Sequence, residues 1–528
     1  MIVATGSTTI HAPKRKFLAE KGLNYLIFAF ASSLYLLPFM RLARLGTDEG
    51  TLVYGAVRIV QGQVFARDFF EVMGPGTFYW LAMFFKLFGT TFVATRVCLF
   101  LTSLGTALLI YVLTRRLCRK YQLLPCVILF GTYFSGQWPA ISHHVDSNFF
   151  ALLSVACVVL WQKTHKNILL IGVGIVAGAT TSFHQPKGML LLASILLWLW
   201  MQRQNLPVSI SAFGLIIGGY CSSIGIILAY FRSQSALWDL IYANFVWPFK
   251  HYSAVNNVAY AQGIFTFYWD PWVIPKNGFN WSIGMAAILI TPFLFVAALP
   301  PLLLIQGARS KWNAVRAEVM LYWLCGWALW LAEFHRRDIS HLVFGSPLLV
   351  ILCVHLMVER RERIADLSLQ ILSISACCLA CINLFLVLTA RPFMTRVGSV
   401  AMFKSDPVLT YLNNHMASGE KIFAYTYSPM YYFLSSTTNP TRYSILMYGY
   451  NTRSQFEEVI HALEQSRVRY VLWDTVQEER DLRLFFPSVN LVRQDERIIE
   501  PYLKAHYTVV WAEKGVLVME RMGESHAE

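Results

Sequence analysis

Long apolar stretches separated by short polar ones set the pattern of this chain. The apolar runs are 24–40, 92–113, 123–138, 147–162, 168–183, 188–202, 208–230, 281–304, 318–334, 342–357 and 368–390. A helix crosses a bilayer with about 20 such residues, or somewhat fewer when its flanks snorkel. The pattern predicts a polytopic α-helical membrane protein with about eleven transmembrane helices. PGTFYWLAMFFKLFG (75–89) is interrupted by Lys86 and reads as an interfacial helix. Beyond residue 390 the pattern changes. KIFAYT (421–426) and RYVLWDT (469–475) read as strands and SPMYYFLSS (428–436) as a short helix. SQFEEVIHALEQSRV (454–468) reads as an amphipathic helix opened by a capping box of Ser454 and Glu457. HYTVVWAE and VLVMERM, joined at Lys514–Gly515, read as a hairpin. The expected division is a membrane domain over 1–390, with a functional outer loop at 41–91, and a small α/β domain over 391–528.

Composition sharpens this picture. Of 528 residues, 56% are hydrophobic and only 14% charged, with a mean hydropathy of +0.48. A soluble chain carries about a quarter charged residues. The net charge of +14 reads as a topology signal. With a cytoplasmic N-terminus, every predicted inside segment is basic: Lys14 to Lys21, Arg115 to Lys120, Lys163 with Lys166, Arg203, Arg309 to Arg316, and Arg360 to Arg363. The first run lacks a cleavage site and reads as an uncleaved anchor. An odd number of spans then puts the C-terminal domain outside the cytoplasm, in an integral cell (inner) membrane protein. The long segments 41–91, 231–280 and 391–528 all fall on that outer side. The basic residues are dispersed among loops, which excludes a nucleic-acid partner. All ten cysteines lie in or beside spans, so no disulfide framework is expected. CCLAC (377–381) reads as small apolar packing in preference to a metal site.

Candidate chemistry starts in the first outer loop, at RLGTDEGTLVYGA (41–53). Thr47 is a candidate N-cap, Asp48 and Glu49 fill the first helical turn, and Val53, Ala56, Val57 and Val60 form an apolar stripe. First-turn carboxylates suit the helix dipole. Ionisable groups at a membrane boundary also tend to be functional. A second acidic cluster follows in ARDFFEVMGPG (66–76), with Asp68 and Glu71.

The order is a first span, Asp–Glu on an amphipathic helix, an Asp–Phe pair, Pro–Gly, and an aromatic helix ending in Phe–Gly. It resembles the first outer loop of GT-C membrane glycosyltransferases, such as protein O-mannosyltransferases and lipid A aminoarabinose transferases. The resemblance covers about residues 20–200 well and the remaining spans loosely. It implies the GT-C fold, a polyprenyl- or dolichyl-phosphate sugar as donor, inversion at the anomeric carbon, and a lipid, glycan or protein acceptor. It also implies catalysis at the acidic pair, here Asp48 and Glu49.

Further positions are weighed beside it. In SHHVDSNFF (142–150), Asp146 matches a functional acid of the family by position, and equally suits a helix cap with Ser147 behind it. His143 and His144 offer metal ligands with no third ligand assured, so an interfacial pair is the plainer reading. In TSFHQPKG (181–188), which holds His184, Pro186 and Gly188 are expected to break the helix and aim Lys187 into a cavity, where a lipid phosphate would satisfy it, although a lysine snorkelling to headgroups would also explain it. EFHRRDISH (333–341) breaks the positive-inside pattern with Arg336 and Arg337, and adds Asp338 and His341. Arginine suits bidentate phosphate recognition, although contact with anionic headgroups would also explain the pair. The aromatic 231–280 loop suits an interfacial belt or stacking on a sugar, with Asp239 and Asp270 as weaker candidates.

The expected reaction is sugar transfer at the outer face. Asp48 serves as base, and Lys187, Arg336 and Arg337 stand against the departing phosphate. No nucleotide loop is present, and a divalent cation is left open because the chain lacks a clear ligand set. The alternatives are a transporter or flippase, which needs mid-span charges and paired helix breaks, and an O-antigen-type ligase or polymerase.

Overall fold

The structure, a computed structural model, describes residues 12–45, 47–133, 140–203, 209–252, 258, 314–360, 362–477 and 493–523. The expected span 281–304, Asp270, and the end of 123–138 lie outside the described residues.

The apolar runs become helices, in the order α1 (Ala12–Leu36), α2 (Thr47–Val60), α3 (Gly76–Phe88), α4 (Phe92–Thr114), α5 (Leu124–Tyr133), α6 (His143–Thr164), α7 (Ile168–Phe183), α8 (Gln185–Gln202), α9 (Ile210–Ser233) and α10 (Leu237–Ile241). After α10 the chain continues as π-helical turns to Tyr252. Then come α11 (Ala314–Ala332), α12 (Ile339–Gly345), α13 (Pro347–Arg360) and α14 (Arg363–Leu388). Among the described residues, five helical segments are long and apolar enough to cross a membrane: Gly22–Arg41, Phe92–Thr114, His143–Thr164, Ile210–Ser233 and Arg363–Leu388. They carry the apolar side chains that solvent would not tolerate, such as Ile226 at 71% exposure and Phe385 at 68%.

Two helix boundaries differ from expectation. The run at 342–357 is two helices: the chain turns into a helix at Ile339, and Pro347, with no N–H to donate and a ring against the preceding turn, starts a new one. The break expected at Pro186 and Gly188 falls earlier, at the extended His184, with Pro186 seated in the first turn of α8 where a missing N–H costs nothing.

The C-terminal part holds a hairpin of β1 (Arg391–Thr395) and β2 (Gly398–Met402), and a sheet of β3 (Ile422–Tyr425), β4 (Tyr470–Asp474), β5 (Tyr507–Glu513) and β6 (Val516–Arg521). The sheet order is β3-β4-β6-β5. β3 runs parallel to β4, with Ile422 opposite Tyr470, and the other pairs are antiparallel. Lys514 and Gly515 turn the β5–β6 hairpin at φ of 51° and 83°, the left-handed pair that a tight hairpin requires. Helices α15 (Pro407–His415), α16 (Met430–Leu434), α17 (Arg453–Gln465) and α18 (Ile499–His506) also belong to the described residues of this part. The capping box of α17 is Thr452 with Gln455, two residues before the expected Ser454 and Glu457.

This C-terminal part is stitched to the segment 41–91. Arg58 donates to the Thr441 carbonyl at 3.0 Å, the Phe70 N–H to the Arg442 carbonyl at 2.9 Å, and the Asn439 N–H to the Tyr54 hydroxyl at 2.7 Å. α2 lies between α3 and α16, so it is covered on both sides. Gly50 permits the approach, because a Cβ there would meet the Met430 nitrogen at 2.5 Å.

Candidate active site

Neighbours on a helix point about 100° apart, so Asp48 and Glu49 cannot face the same surroundings. Glu49 turns inward. It is 3% exposed, pairs with Arg96 at 2.6 Å, and accepts the Ile141 N–H at 3.0 Å. Arg96 in turn lies over the Phe92 ring at 4.4 Å. This pair ties α2 to α4 and to the approach to α6. Asp48 turns outward, is exposed, and accepts the hydroxyl of Tyr427 at 2.5 Å.

Around Asp48 the walls come from four separate segments. The Arg336 guanidinium lies within electrostatic reach of Asp48 and Tyr252. The Tyr450 phenol lies within reach of Tyr252, Glu71 and Asp48. The Tyr252 ring stands 6.3 Å from Tyr450 and 6.2 Å from His335, and Trp247 packs 4.9 Å from Tyr450. Tyr427 and Tyr450 gave no signal in the sequence, since neither lies near Asp48 along the chain.

Arg336 is anchored by Asp338 at 2.6 Å. The other oxygen of Asp338 accepts the Nδ1–H of His341 at 2.7 Å and the His341 N–H at 3.0 Å, capping α12. Burial works against the Asp338 carboxylate, yet His341 and Arg336 hold it below the usual carboxylate range. Arg337 is half-buried on the same turn.

Lys187 is fully buried in an ion pair with Glu333 at 2.6 Å, and donates to Asn148 at 2.9 Å. Its charge is already balanced. Beside it, His144 Nδ1 lies 3.2 Å from Glu333 Oε1, and His184 Nε2 lies 3.8 Å from Glu333 Oε2. His143, His144 and His184 have ligand atoms within 4.8 Å of one another, as do His184, Glu333 and His335. The third partner that sequence reasoning lacked for the His143–His144 pair therefore comes from the α7–α8 break.

Two predicted acids stand apart from these groups. Asp146 is not the cap of α6; Ser142 is, accepting from the His144 N–H. Asp146, 2% exposed and one turn further on, accepts the Thr77 hydroxyl at 2.9 Å and links α6 to α3. Asp68 pairs with its neighbour Arg67 at 2.8 Å and accepts the Val64 N–H at 2.7 Å, which fixes the turn after α2.

Glu71 is buried near Asp48. Burial pushes its carboxyl up to about 8, the Asp48 charge adds to this, and Arg58 opposes it. It therefore holds its proton at neutral pH. Because the folded value lies above the ordinary 4.5, its contribution to stability is complete below about 4.5 and is lost as pH rises through about 8. The unfolding temperature of wild type should fall between about pH 4.5 and about pH 8, and Glu71→Gln should flatten that fall. Equal slopes in the two proteins would show that Glu71 is not the group that titrates.

Residues 73–222 match the family described as dolichyl-phosphate-mannose-protein mannosyltransferase. That stretch holds Asp146, His184 and Lys187, and stops short of both Asp48 and the Glu333–His341 turn. Among solved structures the chain is similar to ArnT from Cupriavidus metallidurans in the apo state. The identity is 11% and the TM-score 0.40, over 95% of this chain and 98% of that one. No curated protein matches the chain.

Proposed function

We propose that this chain is a membrane glycosyltransferase of the GT-C type that moves a sugar from a polyprenyl-phosphate donor to an acceptor hydroxyl or amine at the outer face, with Asp48 as its base. One observation supports this most: an exposed carboxylate at the head of α2 and a buried arginine from a distant turn lie within electrostatic reach across an aromatic-walled site. A carboxylate alone could bind a cation and an arginine alone a headgroup. Together they divide the work of a displacement.

Asp48 takes the proton of the acceptor as its oxygen or nitrogen attacks the anomeric carbon. The bond from that carbon to the phosphate oxygen breaks on the opposite side, and the polyprenyl phosphate leaves with the electron pair. Arg336 stabilises the negative charge that grows on the phosphate. Asp338 keeps the guanidinium aimed, and the Tyr427 hydroxyl orients the Asp48 carboxylate. Half-buried Tyr252 offers a face for the sugar ring, with the buried Tyr450 and Trp247 packed behind it. Lys187, neutralised by Glu333, holds α8 against the 333–338 turn instead of meeting the phosphate directly.

Purified chain in detergent, given labelled polyprenyl-phosphate sugars and candidate acceptors, tests the reading. Arg336→Ala should raise the donor KM or lower kcat by roughly tenfold to a hundredfold, as the loss of a charged hydrogen bond of about 1.5–3 kcal/mol implies. Unchanged kinetics would make Arg336 a headgroup contact and remove it from the site.

A further inference from the structure

Three helix ends that are remote in sequence bring imidazoles together, with His144, His184 and Glu333 buried, His143 half-buried and His335 exposed. The start of α6 supplies His143 and His144, the α7–α8 break supplies His184, and the turn after α11 supplies Glu333 and His335. Ring centroids lie 5.7 Å apart for His143 and His184, 5.3 Å for His144 and His184, and 5.4 Å for His184 and His335. His184 belongs to both groups whose ligand atoms lie within 4.8 Å of one another.

Packing alone does not account for the arrangement. Buried imidazoles and carboxylates in a core normally find hydrogen-bond partners. Here His184 Nδ1 is buried and makes no hydrogen bond among the described residues, while Glu333 Oε2 is buried against the His144 imidazole and 3.8 Å from His184 Nε2. Lys187 takes Glu333 Oε1 at 2.6 Å, and His144 Nδ1 straddles the carboxylate, 3.2 Å from Oε1 and 3.0 Å from Oε2. His335 Nδ1 lies 3.1 Å from the Ala332 carbonyl. That contact puts the proton on Nδ1 and leaves the Nε2 lone pair to act as a ligand.

We propose that these side chains form a binding site for one transition-metal ion of the zinc class, with His184 as the shared ligand, imidazoles from α6 and from the turn after α11 beside it, and Glu333 Oε2 as the oxygen donor. Imidazole nitrogens with one carboxylate suit zinc and its neighbours, whereas magnesium and calcium take oxygen ligands. Bonds of about 2.0–2.1 Å require the rings to draw inward from their present spacing by side-chain rotation. Lys187 does not obstruct the ion, because its ammonium is engaged by Glu333 Oε1 and Asn148.

The proposal stands apart from the sugar-transfer reading, because its readout is metal content and not turnover. The full chain, prepared without a histidine tag, is stripped with a chelator, dialysed against zinc, and assayed by elemental mass analysis. Retention of one zinc per chain is expected, with no comparable retention of magnesium. His184→Gln should bind zinc at least roughly tenfold more weakly. Retention that is sub-stoichiometric in wild type, or unaltered in His184→Gln, would overturn the site. Cobalt added to the stripped wild-type chain gives a readout independent of how any variant folds. Strong visible bands of a nitrogen-ligated, low-coordinate ion are expected, and the weak spectrum of aqueous cobalt would overturn the proposal.

Discussion

Asp48→Asn is expected to cut kcat by roughly 10²–10⁴-fold, the usual worth of a positioned general base, with the donor KM changed little. Asparagine keeps the size of the side chain and can still accept the Tyr427 hydroxyl, so the site keeps its shape. What it cannot do is receive the acceptor's proton. Because Asp48 is exposed and forms no ion pair in the core among the described residues, thermal unfolding should match wild type within about 0.5 kcal/mol. A loss of turnover accompanied by a loss of stability would mean that the residue is structural. Full turnover would remove it from the chemistry.

Glu49→Gln should do the reverse. Its carboxylate faces Arg96 at 2.6 Å, and the two side chains are 2% and 4% exposed. Removing one partner of a buried ion pair leaves an unmatched charge and costs about 3–5 kcal/mol. Glutamine retains a carbonyl for the Ile141 N–H, so the loss should be assignable to the charge. Denaturant unfolding or thermal melting in detergent reads this directly. The double variant Glu49→Leu with Arg96→Met should recover much of the stability, since an apolar pair of similar volume avoids desolvating two ions. If Glu49→Gln melts like wild type and loses only activity, Glu49 is a member of the reacting site and not its support.

The contrast between these neighbours shows where sequence reasoning reached its limit. Both residues are acids in the first turn of one helix, and nothing in their type or spacing separates them. The separation comes from a turn of about 100° between them and from what stands on each side. Arg96 belongs to the next membrane helix and Tyr427 to the C-terminal part, and the chain reveals neither contact until it folds. Local features were far more legible. Among the described residues, the five helices long and apolar enough to cross a membrane follow from apolar length alone. The β5–β6 turn follows from Lys514–Gly515, where glycine supplies one of two left-handed positions. Short-range ambiguity explains the misplaced cap of α17: Ser454 with Glu457 fits the capping pattern as well as Thr452 with Gln455, and only backbone geometry selects the latter. Lys187 was legible as a buried cation near a helix break. Its neutralisation by Glu333 was not, because the partner lies 146 positions away, at residue 333 as against 187. The same distance hid the histidine cluster, whose members arrive from three separate helix ends.

The most direct measurement is release of label from a polyprenyl-phosphate sugar by the purified full chain in lipid nanodiscs, with wild type and Asp48→Asn run side by side against a panel of sugars and acceptors. The account predicts that wild type moves the label from at least one carrier to an acceptor while a well-folded Asp48→Asn protein does not. Inertness of the folded wild-type chain across the panel, or equal transfer by the two proteins, would contradict it.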